Sequence, residues 1–329
     1  MRLFRIHGLM CVHDEADVLE EALDHILSNV DALHVLDTGS TDGCWDIVQA
    51  RARRDARLAS ATRAEVEFTN DMRGILFERA RHSFRPGDWV ARLDPDEFFV
   101  PQLLAESDPG HAASLRDFLD QRVMPHEGRV FARMFEFVIT RQEADAMDRG
   151  ERVENPGEPI TRRRLAYVTD PVPEPRFFRF RRGMRWGPLN PNPFNPGVPA
   201  RTRLAIAHYR WRTLEQTRRR FEIRKRLGAI TPHGTHWDRA DWRDWLIDAS
   251  DPRVRSRKDG EPLVGPIHMN HLTPGFRSMA ERLLHASGLV WIADRLRRGW
   301  TPDRARRCLG TEVAMRTPTD REVNLAHRG

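Results

Sequence analysis

Trp89-Val90-Ala91-Arg92-Leu93-Asp94-Pro95-Asp96-Glu97-Phe98 joins an apolar run, short enough for one buried strand, to three carboxylates within four positions. Val90 and Leu93 feed such a strand into a core, and Asp94, Asp96 and Glu97 emerge at its C-terminal end. In an open α/β sheet, ligands bind outside the carboxyl ends of the strands. Carboxylates crowded there repel one another unless a cation or a hydrogen-bonding ligand compensates. Hard cations such as Mg2+ and Mn2+ take oxygen ligands, commonly one or two carboxylates plus phosphate oxygens. Asp-Pro-Asp is also good turn chemistry, so on this stretch alone a capped turn accounts for it equally well.

A second segment has the same form. His34-Val35-Leu36 is a short apolar strand running into Asp37-Thr38-Gly39-Ser40-Thr41-Asp42-Gly43. The glycines permit tight backbone geometry, and Ser40, Thr41 and Asp42 suit the start of the helix that continues through Trp45, Ile47, Val48 and Ala52. Upstream, a strand through Ile6–Val12 leads into His13-Asp14-Glu15-Ala16. Leu19, Leu23, Ile26, Leu27 and Val30 then recur at helical spacing, giving that helix one core-facing stripe. Polar loops following strands of one sheet share a crevice.

Taken together, strand–Asp-Glu–helix–strand–Asp-x-Gly-Ser-Thr-Asp-Gly followed by Leu-Asp-x-Asp-Glu-Phe resembles the family 2 glycosyltransferases of the GT-A fold, in the bacterial branch with an LDxDEF-type motif. The resemblance is dense over residues 4–100 and thin beyond them. It implies an α/β fold, a Rossmann-like and mostly parallel sheet flanked by helices, and transfer of a sugar from a nucleotide-diphospho-sugar with inversion. It also implies a nucleotide-sugar pocket bordered by Asp14, Glu15, Asp37, Ser40, Asp42 and Asp94, with Mn2+ or Mg2+ held by Asp96. An arginine facing the diphosphate is expected on the helix spanning Asn70–Ser83, where Arg79 or Arg73 matches. For either one, an exposed pairing with Asp71 or Glu78 is the plainer alternative.

Farther along, Arg176-Phe177-Phe178-Arg179 and Trp186-Gly187 match a strand pair that in relatives leads into His-Glu, whereas this chain reads Pro188-Leu189-Asn190. That departure leaves the acceptor base among Glu97, Glu136 and Asp170. Leu204-Ala205-Ile206-Ala207-His208-Tyr209 is an apolar strand ending in histidine, and Thr213 and Gln216 have the spacing of a capping box for the next helix. The resemblance implies that His208 completes the metal shell; the alternative is a structural histidine hydrogen-bonded at a strand end.

Composition sets bounds. A chain of 329 residues buries a substantial core. Three cysteines (Cys11, Cys44, Cys308) support neither a disulfide framework nor a zinc site, which points to a reducing cytoplasm. The N-terminus lacks a signal-peptide pattern and no apolar run is long enough to span a membrane, so a cytoplasmic protein is expected, with at most peripheral contact at an anionic inner membrane face. Net charge is +6, but the lysines are Lys225 and Lys258 and nearly all the positive charge is arginine, spread along the chain among 48 acids. That pattern does not suit nucleic acid, which calls for basic residues clustered with aromatics on one face.

The expected organisation is a transferase domain over 1–227, with a nucleotide half to about residue 100 and an acceptor half after it. A helical extension follows over 228–315, then a polar tail over 316–329. Secondary elements include a third strand at Ala64–Phe68, a helix at Ser114–Val123, a strand at Arg129–Ile139, and little periodicity from Gln142 to Pro175. The expected acceptor is a hydroxyl of a cell-surface glycan, glycolipid or small molecule. Two other classes fit less well. A sugar-phosphate nucleotidyltransferase calls for a glycine-rich phosphate loop after the first strand, where this chain has His13-Asp14-Glu15. A degenerate binding protein would have lost the metal-binding carboxylates, and Asp94 and Asp96 are intact.

Overall fold

The computed structural model describes residues 4–65, 71–100, 114–124 and 127–228, apart from 153, 156, 171–172, 187–191, 194–196 and 201; it also describes 241–257 and the single positions 263, 283, 284, 287 and 289. Strands β1 (Ile6–Val12), β2 (Ala32–Asp37), β3 (Leu58–Arg63) and β4 (Trp89–Leu93) lie in the order β4-β1-β2-β3, all parallel. Helices α1 (Ala16–Asn29), α2 (Cys44–Arg54) and α3 (Asp71–Ala80) connect them. A parallel sheet covered on both faces needs strands that are apolar throughout, and β1, β2 and β4 are buried along their whole length.

One face of the sheet packs against the stripe Val18, Leu19, Leu23 and Ile26 of α1 and Val48 of α2. The other packs against Leu76, Phe77 and Ala80 of α3, with Phe84, Phe178 and Trp186 completing an aromatic layer. Phe77 is fully buried, a contribution of roughly 1.5–3 kcal/mol for a side chain of this size. Gly8 belongs in the middle of β1 because a Cβ there would come within 2.6 Å of Leu93 and 2.9 Å of Leu33, whose side chains fill that space.

Past β4 the sheet becomes mixed. Strand β5 (Glu97–Val100), helix α4 (Leu115–Gln121), strand β6 (Glu127–Phe137), helices α5 (Arg141–Asp148) and α6 (Ile160–Arg163), and strands β7 (Ala166–Thr169) and β8 (Glu174–Arg179) follow in turn. Strand β8 runs antiparallel to β4 and extends the sheet to β6 and β7. The short β9 (Val198–Pro199) pairs with β6, and β10 (Leu204–His208) lies between β5, antiparallel, and β6, parallel, so the sheet curls. Helix α7 (Leu214–Gly228) follows, and β11 (Arg255–Ser256) closes the far edge on β7.

Three local outcomes differ from the sequence expectations. The third strand is Leu58–Arg63, just before the expected Ala64–Phe68, of which 66–68 lie outside the described residues; β3 is an edge strand that buries only Leu58, so its apolar signal is faint. Within 142–175, where the sequence shows little periodicity and suits either an ordered insertion or a mobile flap, the described residues include regular elements: Thr140 and Glu143 form a reciprocal capping box that starts α5, and α6 and β7 come after it. At the start of α7 the hydroxyl of Thr213 accepts from Gln216 N–H at 3.0 Å, but Gln216 reaches back to Arg212 N–H instead of Thr213. Trp242–Trp245 form one turn of 3-10 helix, with Trp242 against a small cluster of Ile139, Ala144, Leu214 and Leu246. Trp237, the tail and nearly all of the segment 279–298 lie outside the described residues; within it Leu283 and Leu284 are exposed.

Candidate active site

Because β1, β2 and β4 are parallel and in register, the loops after Val12, Asp37 and Leu93 leave the same edge of the sheet. The first two loops interlock. Asp14 takes a left-handed backbone conformation (φ +53°), which aspartate tolerates better than most residues. Its N–H donates to Ser40 Oγ (3.1 Å) and its Oδ1 accepts from Thr41 N–H (2.7 Å). Asp42 bridges the starts of two helices, accepting from Ala16 N–H (2.8 Å) and Cys44 N–H (3.1 Å). Asp37 is fully buried; its Oδ1 accepts from the N–H groups of Gly39 and Ser40, both at 2.9 Å, which Gly39 permits with φ +95°. The second oxygen, Oδ2, is buried without a hydrogen-bond partner.

The carboxylates after β4 divide between two sets of arginines. Asp94 accepts from Arg73 of α3 at 2.5 Å and from Arg176 of β8 at 3.2 Å. Arg176 also contacts Glu97 and lies 3.3 Å from Glu174. Burial would raise the Asp94 pKa, but Arg73, Arg176 and Arg92 hold it well below the usual carboxylate range. Glu97 goes the other way: burial dominates Arg176 and pushes it up to about 8, and its Oε2 has no partner. Arg79, one of the two sequence candidates, is exposed, whereas Arg73, the residue on Asp94, is 4% exposed.

Asp96 sits with the other set. Strand pairing places His208 beside Glu97 on one side and Glu136 on the other. His208 Nδ1 lies 2.8 Å from Glu136 Oε1, and Nε2 lies 3.4 Å from Asp96 Oδ2. Burial alone would lower the His208 pKa, yet Glu136 and Asp96 together push it up to about 10, so without another cation the ring is an imidazolium held between two carboxylates. The same Asp96 oxygen faces Arg220 at 3.1 Å and Arg212 at 3.7 Å. Arg212, fully buried, also contacts Glu15 and bonds Asp17 at 2.8 Å, while Arg219 contacts Asp14. Asp170 is half-buried after β7, its N–H on Met134 O at 3.0 Å, two residues along β6 from Glu136.

Among the described residues no group of three or more His, Cys, Asp or Glu side chains is arranged to hold a metal ion. Asp96 and His208 nevertheless suit a two-ligand site. A hydrogen bond from Nδ1–H to Glu136 leaves Nε2 as the coordinating nitrogen, the usual way a carboxylate orients a metal-binding histidine. The 3.4 Å between Nε2 and Oδ2 also suits two neighbouring ligands of one cation. Hard cations of this kind take their remaining ligands from phosphate and water.

The fold thus gathers Asp14, Glu15, Asp37, Asp94, Asp96, Glu97, Glu136 and His208 around one strand edge. The sequence reading missed Arg176, Arg212, Arg219 and Arg220, which reach these acids across 79 to 205 positions of chain. Arg73 had a local signal: with Leu76, Phe77 and Ala80 it completes the buried stripe of α3.

The architecture is that of a GT-A-like α/β protein: a Rossmann-like parallel half, a mixed second half, and acidic loops at the carboxyl edge. Residues 9–107 match the family model for glycosyl transferase family 2. Among solved structures it is similar to the mannosyltransferase PcManGT from Pyrobaculum calidifontis in complex with GDP-Man and Mn2+, at 14% identity and a TM-score of 0.39. That match covers 68% of this chain and 62% of the mannosyltransferase. No curated protein matches the chain.

Proposed function

We propose that this protein transfers a sugar from a nucleoside diphosphate donor to an acceptor hydroxyl, with inversion, using a divalent cation held by Asp96 and His208. The observation that carries the reading is the meeting of Asp96 and His208 at 3.4 Å, with Glu136 behind the ring and the family 2 loops on the adjoining strand ends. The bound cation supplies charge neutralisation for the departing diphosphate. Asp37 offers its unpartnered oxygen to a donor N–H or O–H of the nucleoside. Asp94, held by Arg73 and Arg176, lines the donor side as a fixed anion. Asp14, Ser40 and Asp42 shape the loops around it through their mutual hydrogen bonds.

Of the three base candidates, Glu97 fits best. Its pKa, raised to about 8, suits proton acceptance near neutral pH, and one of its oxygens is unpartnered. Glu136 already commits Oε1 to His208. Residues 1–100 would form the donor half and residues up to 227 the acceptor half. A cytoplasmic location with peripheral membrane contact accords with a glycolipid or glycan acceptor; no helix among the described residues is long and apolar enough to cross a membrane. Thermal-shift screening of nucleotide-sugars with Mn2+, followed by assay for release of nucleoside diphosphate, tests the reading. Stabilisation by one donor class with turnover supports it, while binding without turnover for any acceptor marks a degenerate transferase.

A further inference from the structure

Arg220 and Arg212 come from the same chain region and face the same oxygen of Asp96, but they are held very differently. Arg212 is fully buried, and its guanidinium bonds Asp17 at 2.8 Å and Tyr209 O at 3.4 Å while touching Glu15. It is locked in place. Arg220 lies on α7 with its side chain 19% exposed, and its ion contacts are Asp96 at 3.1 Å and Glu15 at 3.8 Å. It can swing without leaving the acids bare, because Arg212 stays on Glu15 and His208 stays beside Asp96.

A cation entering at Asp96 meets the Arg220 guanidinium on the oxygen it needs. That oxygen already faces His208, Arg212 and Arg220, so an added cation crowds a cationic set and favours displacement of its most exposed member, Arg220. The anion that arrives with the cation is a diphosphate, whose oxygens match the planar fork of arginine. We propose that Arg220 is an exchangeable counter-ion: it occupies Asp96 while the site lacks a cation, and passes to the diphosphate when cation and donor bind. Arg219, resting on Asp14 one residue earlier on α7, is placed to follow it. The donor would thereby couple loading of the site to a shift of α7. This inference rests on the cation reading above and adds a role for a residue that the family-matching segment does not contain.

The opposite signs of its two consequences make it testable. Mn2+ alone, followed by electron paramagnetic resonance, and micromolar Mn2+–pyrophosphate, followed by calorimetry, are measured on wild type, Arg220→Met, Arg220→Lys and Asp96→Asn. Arg220→Met should bind Mn2+ alone more tightly, by about threefold to tenfold, because a competing positive charge is gone. It should bind Mn2+–pyrophosphate at least about tenfold more weakly, the loss expected for a hydrogen bond to a charged group. Arg220→Lys should keep the wild-type Mn2+ affinity, which guards against a folding artefact, and lose part of the pyrophosphate affinity. Unchanged or weaker Mn2+ binding in Arg220→Met, with binding abolished in Asp96→Asn, overturns the exchange and leaves the cation site standing. Unchanged pyrophosphate affinity also overturns it. No Mn2+ binding in wild type removes the cation site and the exchange together.

Discussion

His208 and Glu136 lie on adjacent parallel strands in matched register, and the imidazole Nδ1 sits 2.8 Å from the Glu136 carboxylate. The backbone pairing of β10 with β6 sets which ring nitrogen faces Asp96. The histidine's orientation is therefore a property of the sheet and not of a loop.

Glu136→Gln should preserve the fold, since a neutral amide oxygen still accepts from Nδ1–H, while weakening Mn2+ binding. Loss of an orienting carboxylate costs about 10–100-fold in metal affinity. Paramagnetic resonance titration reads it directly, and unchanged affinity would reduce Glu136 to a packing role.

Removing Arg73 leaves Asp94, a partly exposed carboxylate near Arg92, with Arg176, which is shared with Glu97 and Glu174. Arg73→Met should destabilise the protein by about 1–3 kcal/mol, less than breaking a fully buried pair, because Asp94 keeps some solvent and Arg176. Urea unfolding measures it; a loss below about 1 kcal/mol would mean that Arg176 alone suffices. Arg79→Met, on the exposed side of the same helix, should change stability little.

Much of this was legible beforehand. The β1, β2 and β4 strands, the Asp37 loop, Asp94-x-Asp96 and the His208 strand end all follow from local pattern, because each joins a short apolar run to polar residues at a fixed offset. The arginines were not legible, for two reasons. Arginine is so abundant in this chain that no single one stands out, and Arg176, Arg212 and Arg220 meet their carboxylates only through β8 and α7. Arg73 could have been preferred to Arg79 by asking which shares a face with Leu76, Phe77 and Ala80. Strand β3 escaped because an edge strand with one buried residue gives almost no apolar period.

Acid should act on stability through two buried histidines in a defined window. Burial lowers His25 and His34 to about 4, from about 6.5 in an unfolded chain. Between these values the two histidines bind more protons in the unfolded state than in the folded one, so their contribution to stability is full above about pH 6.5 and is lost as pH drops toward 4, while Glu97, raised to about 8, works in the opposite direction. Urea midpoints compared across that range should show His34→Gln differing in slope from wild type by about one proton's worth, in the direction of less loss on acidification. An identical slope in the variant would contradict the assignment.

Asp37→Asn keeps an acceptor for the Gly39 and Ser40 amides but removes the charge and one buried acceptor oxygen. Nucleoside diphosphate binding should weaken by about 1–3 kcal/mol with little change in melting temperature. Equal affinity would assign Asp37 to loop capping alone.

The central claim is a cation shared between Asp96, His208 and a donor diphosphate. Calorimetry of UDP, GDP and dTDP against the wild-type protein, with Mn2+ and again with excess EDTA, addresses it most directly. At least one nucleotide should bind with Mn2+, lose that binding in EDTA, and lose it equally in Asp96→Asn. Equal affinity with and without the metal, or binding undiminished in Asp96→Asn, would contradict the account.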